Sequence, residues 1–234
     1  TRTYDGTVAS SGVVRNSGLV GGDTVTAVQA FGSKNVMGSN GSTLSVASYN
    51  LNDGNSGGNY NVTTTTAAGT INKATLNLTA TPDDKVYDGT TLATASYSDN
   101  RIAGDVLSYA ATASFASKNV GNGIAVTVGG ITTSGTDAGN YTVGSTTVVG
   151  NTADITPKTL TVTANDDSKM TGTPYSGGNG VTYSGIVAGE TVAGVLTGSL
   201  AYSGNSQGAN TPGEYDITPG GLVANSNYRV NFVD

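Results

Sequence analysis

The tetrapeptide Tyr4-Asp5-Gly6-Thr7 returns 83 residues later as Tyr87-Asp88-Gly89-Thr90, and other motifs keep nearly the same step. Gly22-Asp23-Thr24 is answered by Gly104-Asp105 after 82 residues, and Gly58-Asn59-Tyr60 by Gly139-Asn140-Tyr141 after 81. Phe31-Gly32-Ser33-Lys34-Asn35-Val36 is answered by Phe115-Ala116-Ser117-Lys118-Asn119-Val120 after 84. An interval shared by separate motifs is the signature of a duplicated unit, and about 80 residues is enough for a small independent core.

A third copy follows in altered form. Gly189-Glu190-Thr191 stands for Gly22-Asp23-Thr24, Tyr215-Asp216-Ile217 continues the strand alternation, and Asn227-Tyr228 matches Asn140-Tyr141. The early landmark is lost, because Lys169-Met170-Thr171-Gly172 replaces Lys85-Val86-Tyr87-Asp88-Gly89.

Lys73-Ala74-Thr75-Leu76-Asn77-Leu78-Thr79-Ala80 and Lys158-Thr159-Leu160-Thr161-Val162-Thr163-Ala164 alternate apolar and polar residues. Period two with β-branched residues predicts half-buried strands, with Leu76, Leu78, Leu160 and Val162 facing a core. Each such strand opens a module. The chain therefore divides into 1–72, which lacks its first strand, 73–156, and 157–234, which is divergent and truncated at its C-terminal side. Both ends read as cuts through a longer array.

No extended window has helical periodicity free of glycine, so the expected fold class is all-β and mainly antiparallel. Three tandem small β-rich modules follow, with an immunoglobulin-like sandwich as the leading arrangement and a β-grasp-like one with one short helix as the alternative. A helical turn fits near Gly104–Tyr109 or Gly189–Leu196. Asp137-Ala138-Gly139-Asn140-Tyr141 has the spacing of a tyrosine corner, where a buried hydroxyl bonds nearby backbone; Tyr60 and Tyr228 share that structural reading. Asp5 and Asp88 read as turn residues whose carboxylates bond the backbone ahead, with Gly6 and Gly89 supplying positive φ beside Tyr4 and Tyr87.

Charged residues make up 11% of the chain, under half of the ordinary share of about 25%. The surface is therefore polar but mostly uncharged. A net charge of −6 with no cluster of Lys and Arg argues against a nucleic-acid binder. Zero Cys and zero His remove disulfides, thiolate sites and the commonest general base. Glu190 and Glu214 are the only glutamates and nearly all aspartates crowd Gly- or Asn-rich turns, so no enzyme and no cofactor is expected. No apolar run reaches membrane-spanning length, so no direct membrane insertion is expected.

With Lys85-Val86-Tyr87-Asp88-Gly89-Thr90-Thr91, Phe115–Gly121 and Asp137–Tyr141 in order, the chain resembles the YDG repeats of large bacterial adhesins. The resemblance covers 73–156 well and 1–72 with gaps. Residues 157–234, through Leu160–Ala164, Gly189-Glu190-Thr191 and Asn227-Tyr228-Arg229-Val230, look like the companion MBG-type repeat. Such repeats occur in filamentous haemagglutinin-like exoproteins, often exported by two-partner secretion, where they form stalks. The resemblance implies an extracellular location on a bacterial surface, with neighbouring repeats of the same polypeptide as partners. The alternative function is a carbohydrate- or matrix-binding module that engages exopolysaccharide or host glycan.

Three further groups of residues bear on chemistry. Asp83-Asp84 and Asp166-Asp167, just after the opening strands, are candidates for Ca²⁺ through hard oxygen ligands, although the EF-hand and nonapeptide spacings are missing and a solvated turn is the plainer reading. Lys34-Asn35 and Lys118-Asn119 invite an intramolecular Lys–Asn cross-link, which neighbours in sequence cannot close on each other. Tyr97, Tyr109, Tyr175, Tyr183 and Tyr202 lie outside the corner motif; cross-strand packing is the leading reading and sugar stacking the other.

Overall fold

The computed structural model describes residues 1–145 and 147–234, and their alternating patterns resolve into short strands. In chain order these are β1 (Arg2–Thr3), β2 (Thr24–Phe31), β3 (Ser42–Asn52), β4 (Ala67–Gly69) and β5 (Ile71–Asn72). Next come β6 (Ala74–Leu76), β7 (Leu78–Pro82), β8 (Lys85–Val86), β9 (Leu92–Ala93), β10 (Ala95–Asp99), β11 (Ser108–Phe115) and β12 (Gly121–Ser134). A 3₁₀ turn, Ala138–Asn140, leads into β13 (Tyr141–Val143) and β14 (Val148–Thr156). The last stretch holds β15 (Lys158–Ala164), β16 (Val181–Ser184), helix α1 (Val192–Val195), β17 (Leu196–Ser203), β18 (Thr218–Ala224) and β19 (Tyr228–Val233). The chain is all-β with one short helix.

Residues 1–79, 97–111 and 129–148 form one compact unit, and residues 80–96, 112–128 and 149–234 form a second. The expected second module, 73–156, contributes to both. Within the first unit β2 and β3 form a long antiparallel hairpin, from Thr24 opposite Asn52 to Phe31 opposite Leu44, and β4 adds to its edge. Two parallel pairs complete it, β1 with β5 and β6 with β13. Lys73 alone separates β5 from β6, so the chain passes almost straight from one pairing into the next. The core gathers Tyr4, Phe31, Ile71, Leu76, Leu107 and Tyr141, drawn from both of the first two repeats.

One sheet has the order β8-β14-β12-β11-β9, and the second unit has a three-stranded one in the order β16-β15-β19. In the latter, β15 runs antiparallel to β16 but parallel to β19, from Lys158 opposite Tyr228 to Thr163 opposite Val233. β17 and β18 pair separately. Leu160 and Val162 are fully buried, as their alternation requires, and Leu76 is too in the first unit, while Leu78 is half-buried.

Parallel pairing of opening and closing strands is the main departure from the antiparallel expectation. In chain order α1 falls between the first and last strands of residues 158–233. The helix sits within the expected Gly189–Leu196 window, where Thr191 caps it by accepting from the Gly194 N–H at 3.2 Å. The other window, Gly104–Tyr109, holds no helix. There the Asp105 N–H closes a tight turn onto the Ile102 carbonyl at 3.1 Å, with Gly104 at φ 92°, and β11 begins at Ser108.

Candidate functional site

The repeated Tyr-Asp-Gly turns are built alike. Asp5 accepts from the Thr7 N–H at 2.9 Å and Asp88 from the Thr90 N–H at 2.8 Å, while Gly6 and Gly89 take φ of 78° and 80°. Arg2 and Lys85 bind these carboxylates at 2.7 and 2.8 Å and lie over the rings of Phe31 and Phe115. The tyrosines do more: Tyr4 and Tyr87 are 3% and 1% exposed and reach inward to a carboxylate belonging to the following repeat.

In the first unit that carboxylate is Asp105. It accepts from the Tyr4 hydroxyl at 2.7 Å, the Tyr141 hydroxyl at 2.6 Å and the Lys34 ammonium at 2.9 Å. The Tyr141 hydroxyl in turn accepts from the Ile102 N–H at 2.9 Å, and the two rings meet edge to face with centroids 5.4 Å apart. Lys34 also reaches Asp137 at 3.2 Å, whose other oxygen accepts from the Val106 N–H at 2.9 Å. Beside them Asn140 donates to the Asn35 side chain at 3.1 Å and accepts from the Val36 N–H at 2.9 Å.

The second unit repeats the arrangement with Glu190, which accepts from Tyr87 and Tyr228 at 2.5 Å each. The Tyr228 hydroxyl accepts from the Val187 N–H at 2.9 Å, and the rings again meet edge to face at 5.4 Å. Asn227 accepts from the Val120 N–H at 2.9 Å and donates to Asn119 at 3.2 Å. Position 224, where Asp137 would fall, is alanine.

These contacts set the charge states. Burial alone would raise the Asp105 carboxyl, but hydrogen bonds from Tyr141, Lys34 and Tyr4 outweigh it and hold it below the usual carboxylate range. Glu190 is lowered by the Tyr228 and Tyr87 hydroxyls. Tyr87 is pushed up to about 12 by its bond to Glu190 and by burial, and Tyr141 to about 12 by burial and by Asp105. Lys34 is pushed up by its contacts with Asp105, Tyr4 and Asp137. The Lys34 ammonium faces two carboxylates and Asn35 turns to Asn140, so the two side chains of that dipeptide serve separate contacts.

A tyrosine wedged against a carboxylate of the next repeat and followed by an Asp-Gly turn is the recurring element, and the family comparison falls on it. The YDG domain matches residues 1–67 and 72–149. The chain belongs to the YDG domain family. Residues 160–234 match the MBG domain (YGX type), and both are non-catalytic repeat domains typical of surface and secreted proteins. No curated protein and no solved structure matches the chain. No helix among the described residues is long and apolar enough to cross a membrane.

In the YDG and MBG modules the corner tyrosines differ from the expected geometry. Tyr141 and Tyr228 bond backbone 39 and 41 residues upstream, and Tyr60 bonds the Val20 N–H 40 residues upstream at 2.8 Å. The tight turn before each tyrosine points its ring toward the Gly-Asp or Gly-Glu loop, so the partner is a loop far off in sequence.

Other candidates are spread apart. Asp83 accepts from the Thr94 hydroxyl at 2.7 Å, whereas Asp84 accepts from the Asp154 N–H at 2.7 Å. Asp167 accepts from the Tyr175 hydroxyl at 2.8 Å, and the Asp166 carbonyl from Asn179 at 2.8 Å. Among the described residues no group of three or more acidic side chains is placed to share an ion. Tyr97 and Tyr109 pack with centroids 5.9 Å apart, and Tyr109 also bonds Asp99 and Arg101.

The YDG glycines are held by contact as well as by φ. A Cβ on Gly6 would stand 2.7 Å from Ile102 Cγ2, and one on Gly89 2.9 Å from Val187 Cγ1. Gly6→Ala and Gly89→Ala should each destabilise their unit by about 1–2 kcal/mol or more, from left-handed strain and overpacking together. Thermal melts of the two variants check this, and unchanged melting would refute it.

Proposed function

We propose that the chain is a stalk segment of an extracellular bacterial adhesin, holding a distal binding region away from the cell. The supporting observation is the paired tyrosine–carboxylate–tyrosine cluster: the same buried joint links the first repeat to the second and the second to the third. A joint with a shared core couples neighbours cooperatively, so length grows by adding copies, each stabilised by the one beside it. The low-charge polar surface keeps such a segment soluble with little dependence on salt. Export by two-partner secretion belongs to the same proposal.

A second reading has one observation in its favour. A cleft of about 710 Å³ in residues 164–234 is lined by Asp166, Asp167, Tyr175, Glu214, Tyr215 and Asp216 among others, a set of hydroxyls and carboxylates suited to sugar. The two readings separate in one experiment. A reporter domain displayed on bacteria through the chain should capture bead-bound ligand better as copies are added, and the chain alone should not be retained on a glycan array. Retention that Tyr215→Ala abolishes would overturn the stalk in favour of the glycan-binding module.

A further inference from the structure

The first YDG module carries half of the same cluster. Its Tyr60 hydroxyl accepts from the Val20 N–H at 2.8 Å and donates to Asp23 at 2.6 Å, and the Asp23 N–H closes onto the Val20 carbonyl at 3.1 Å. Bond for bond this reproduces Ile102–Asp105–Tyr141 and Val187–Glu190–Tyr228. In those two clusters a second tyrosine completes the carboxylate's coordination; Asp23, among the described residues, receives Tyr60 alone.

Three other positions around it are also unfilled. Val20, the counterpart of the Ile102 and Val187 that press on Gly6 and Gly89, is 70% exposed. Asn59, the counterpart of Asn140 and Asn227, is exposed and turned to Asp53 and Asn55 instead of to a Ser-Lys-Asn-Val segment. Tyr60-Asn61-Val62, the counterpart of the start of β13 and β19, pairs with no strand among the described residues, whereas β13 pairs with β6 and β19 with β15. A cleft of about 680 Å³ opens here against Leu51, Tyr60 and Val62.

We propose that Val20, Asp23, Asn59 and Tyr60 form a docking socket for the Tyr-Asp-Gly turn of a further YDG-type module joined ahead of this one in the same polypeptide. The occupant delivers a tyrosine hydroxyl to Asp23, a glycine to Val20, a Ser-Lys-Asn-Val backbone to Asn59 and an alternating strand beside Tyr60–Val62. The order follows from the filled sockets, whose tyrosines lie 101 and 103 residues before the carboxylates they reach. A second copy of this chain is a poor occupant, because its own Tyr4 and Tyr87 are already buried in sockets and Met170-Thr171-Gly172 offers no aromatic. The inference rests on reading the clusters as joints between modules, and it names the partner that the open joint takes.

The test fuses a second copy of residues 1–83 directly ahead of Thr1 of the full chain, which sets the added tyrosine at the separation seen in the filled sockets. Amide exchange at Val20 should slow by about tenfold or more relative to the parent chain. Asp23→Ala in the fused chain should abolish that slowing and leave the Val187 amide unchanged. Val20→Cys supplies a second readout, its alkylation slowing by a similar factor. Parent-like values in both readouts, including the case where the added copy fails to fold, would overturn the proposal. So would slowing that survives Asp23→Ala, or slowing in the parent chain that rises with concentration, which would assign the socket to a second copy. A protected Val20 with no gain in reporter reach would defeat the stalk alone, and normal reach with an unprotected Val20 would defeat the socket alone.

Discussion

Asp105→Ala should cost about 3–5 kcal/mol, within the range for leaving two buried hydroxyl donors without their acceptor. The carboxylate is 8% exposed and accepts from two tyrosine hydroxyls and an ammonium, so its loss strands two buried hydroxyls and leaves Lys34 with Asp137 alone. For a chain of this size the melting temperature should fall by roughly 6–20 °C. Asp105→Asn should recover little, since an amide offers one acceptor oxygen where three donors converge. Asp23→Ala is the internal comparison: the same residue type bonds the same kind of tyrosine, but without a second tyrosine or a lysine, and its change should be much smaller. Equal losses at the two positions would show that the joint contributes nothing beyond a local turn.

Alkaline pH should dismantle both joints together. Tyr87 and Tyr141 are raised to about 12 and Tyr4 and Tyr228 are raised as well, all against an ordinary value near 10. The folded state holds these protons more tightly than the unfolded chain does. Their stabilisation is therefore complete below about pH 10 and is lost as pH climbs through about 12. Tyrosinate absorbance and circular dichroism should consequently change together in that window. Asp105 and Glu190 have the opposite sign: lowered in the fold, they stabilise above the ordinary carboxylate range, near pH 4, and lose that contribution as pH falls through their depressed values. Buried tyrosines that ionise near pH 10 with no loss of structure would contradict this account.

The parts of the fold legible in the sequence were the local ones. Asp5-Gly6 and Asp88-Gly89 announce their turns because side chain, backbone bond and positive φ all lie within a few residues. Leu76, Leu160 and Val162 announce their burial because strand alternation is local. The joint was illegible because its geometry is not: Tyr4 and Asp105 are 101 residues apart, and nothing in either neighbourhood names the other. In the sequence Asp105 stands only as a landmark of the repeat, Glu190 as a landmark and one of two glutamates, and Lys34 as half of an unworkable cross-link. One signal was present, namely that each Gly-Asp or Gly-Glu precedes an Asn-Tyr by 36 to 38 residues, an interval kept through a change from Asp to Glu. The parallel pairing of β6 with β13 and of β15 with β19 had no such signal, since alternation fixes which face is buried but not the direction of a neighbour.

That pairing has a mechanical meaning. β15 begins the stretch 158–233 and β19 ends it, and six consecutive residue pairs tie them side by side in the same direction. Tension applied through the chain pulls the start of β15 one way and the end of β19 the other, so the strands would have to slide along each other. The backbone bonds between them then share the force and must break together, rather than peel apart one at a time as they would at the open end of a hairpin.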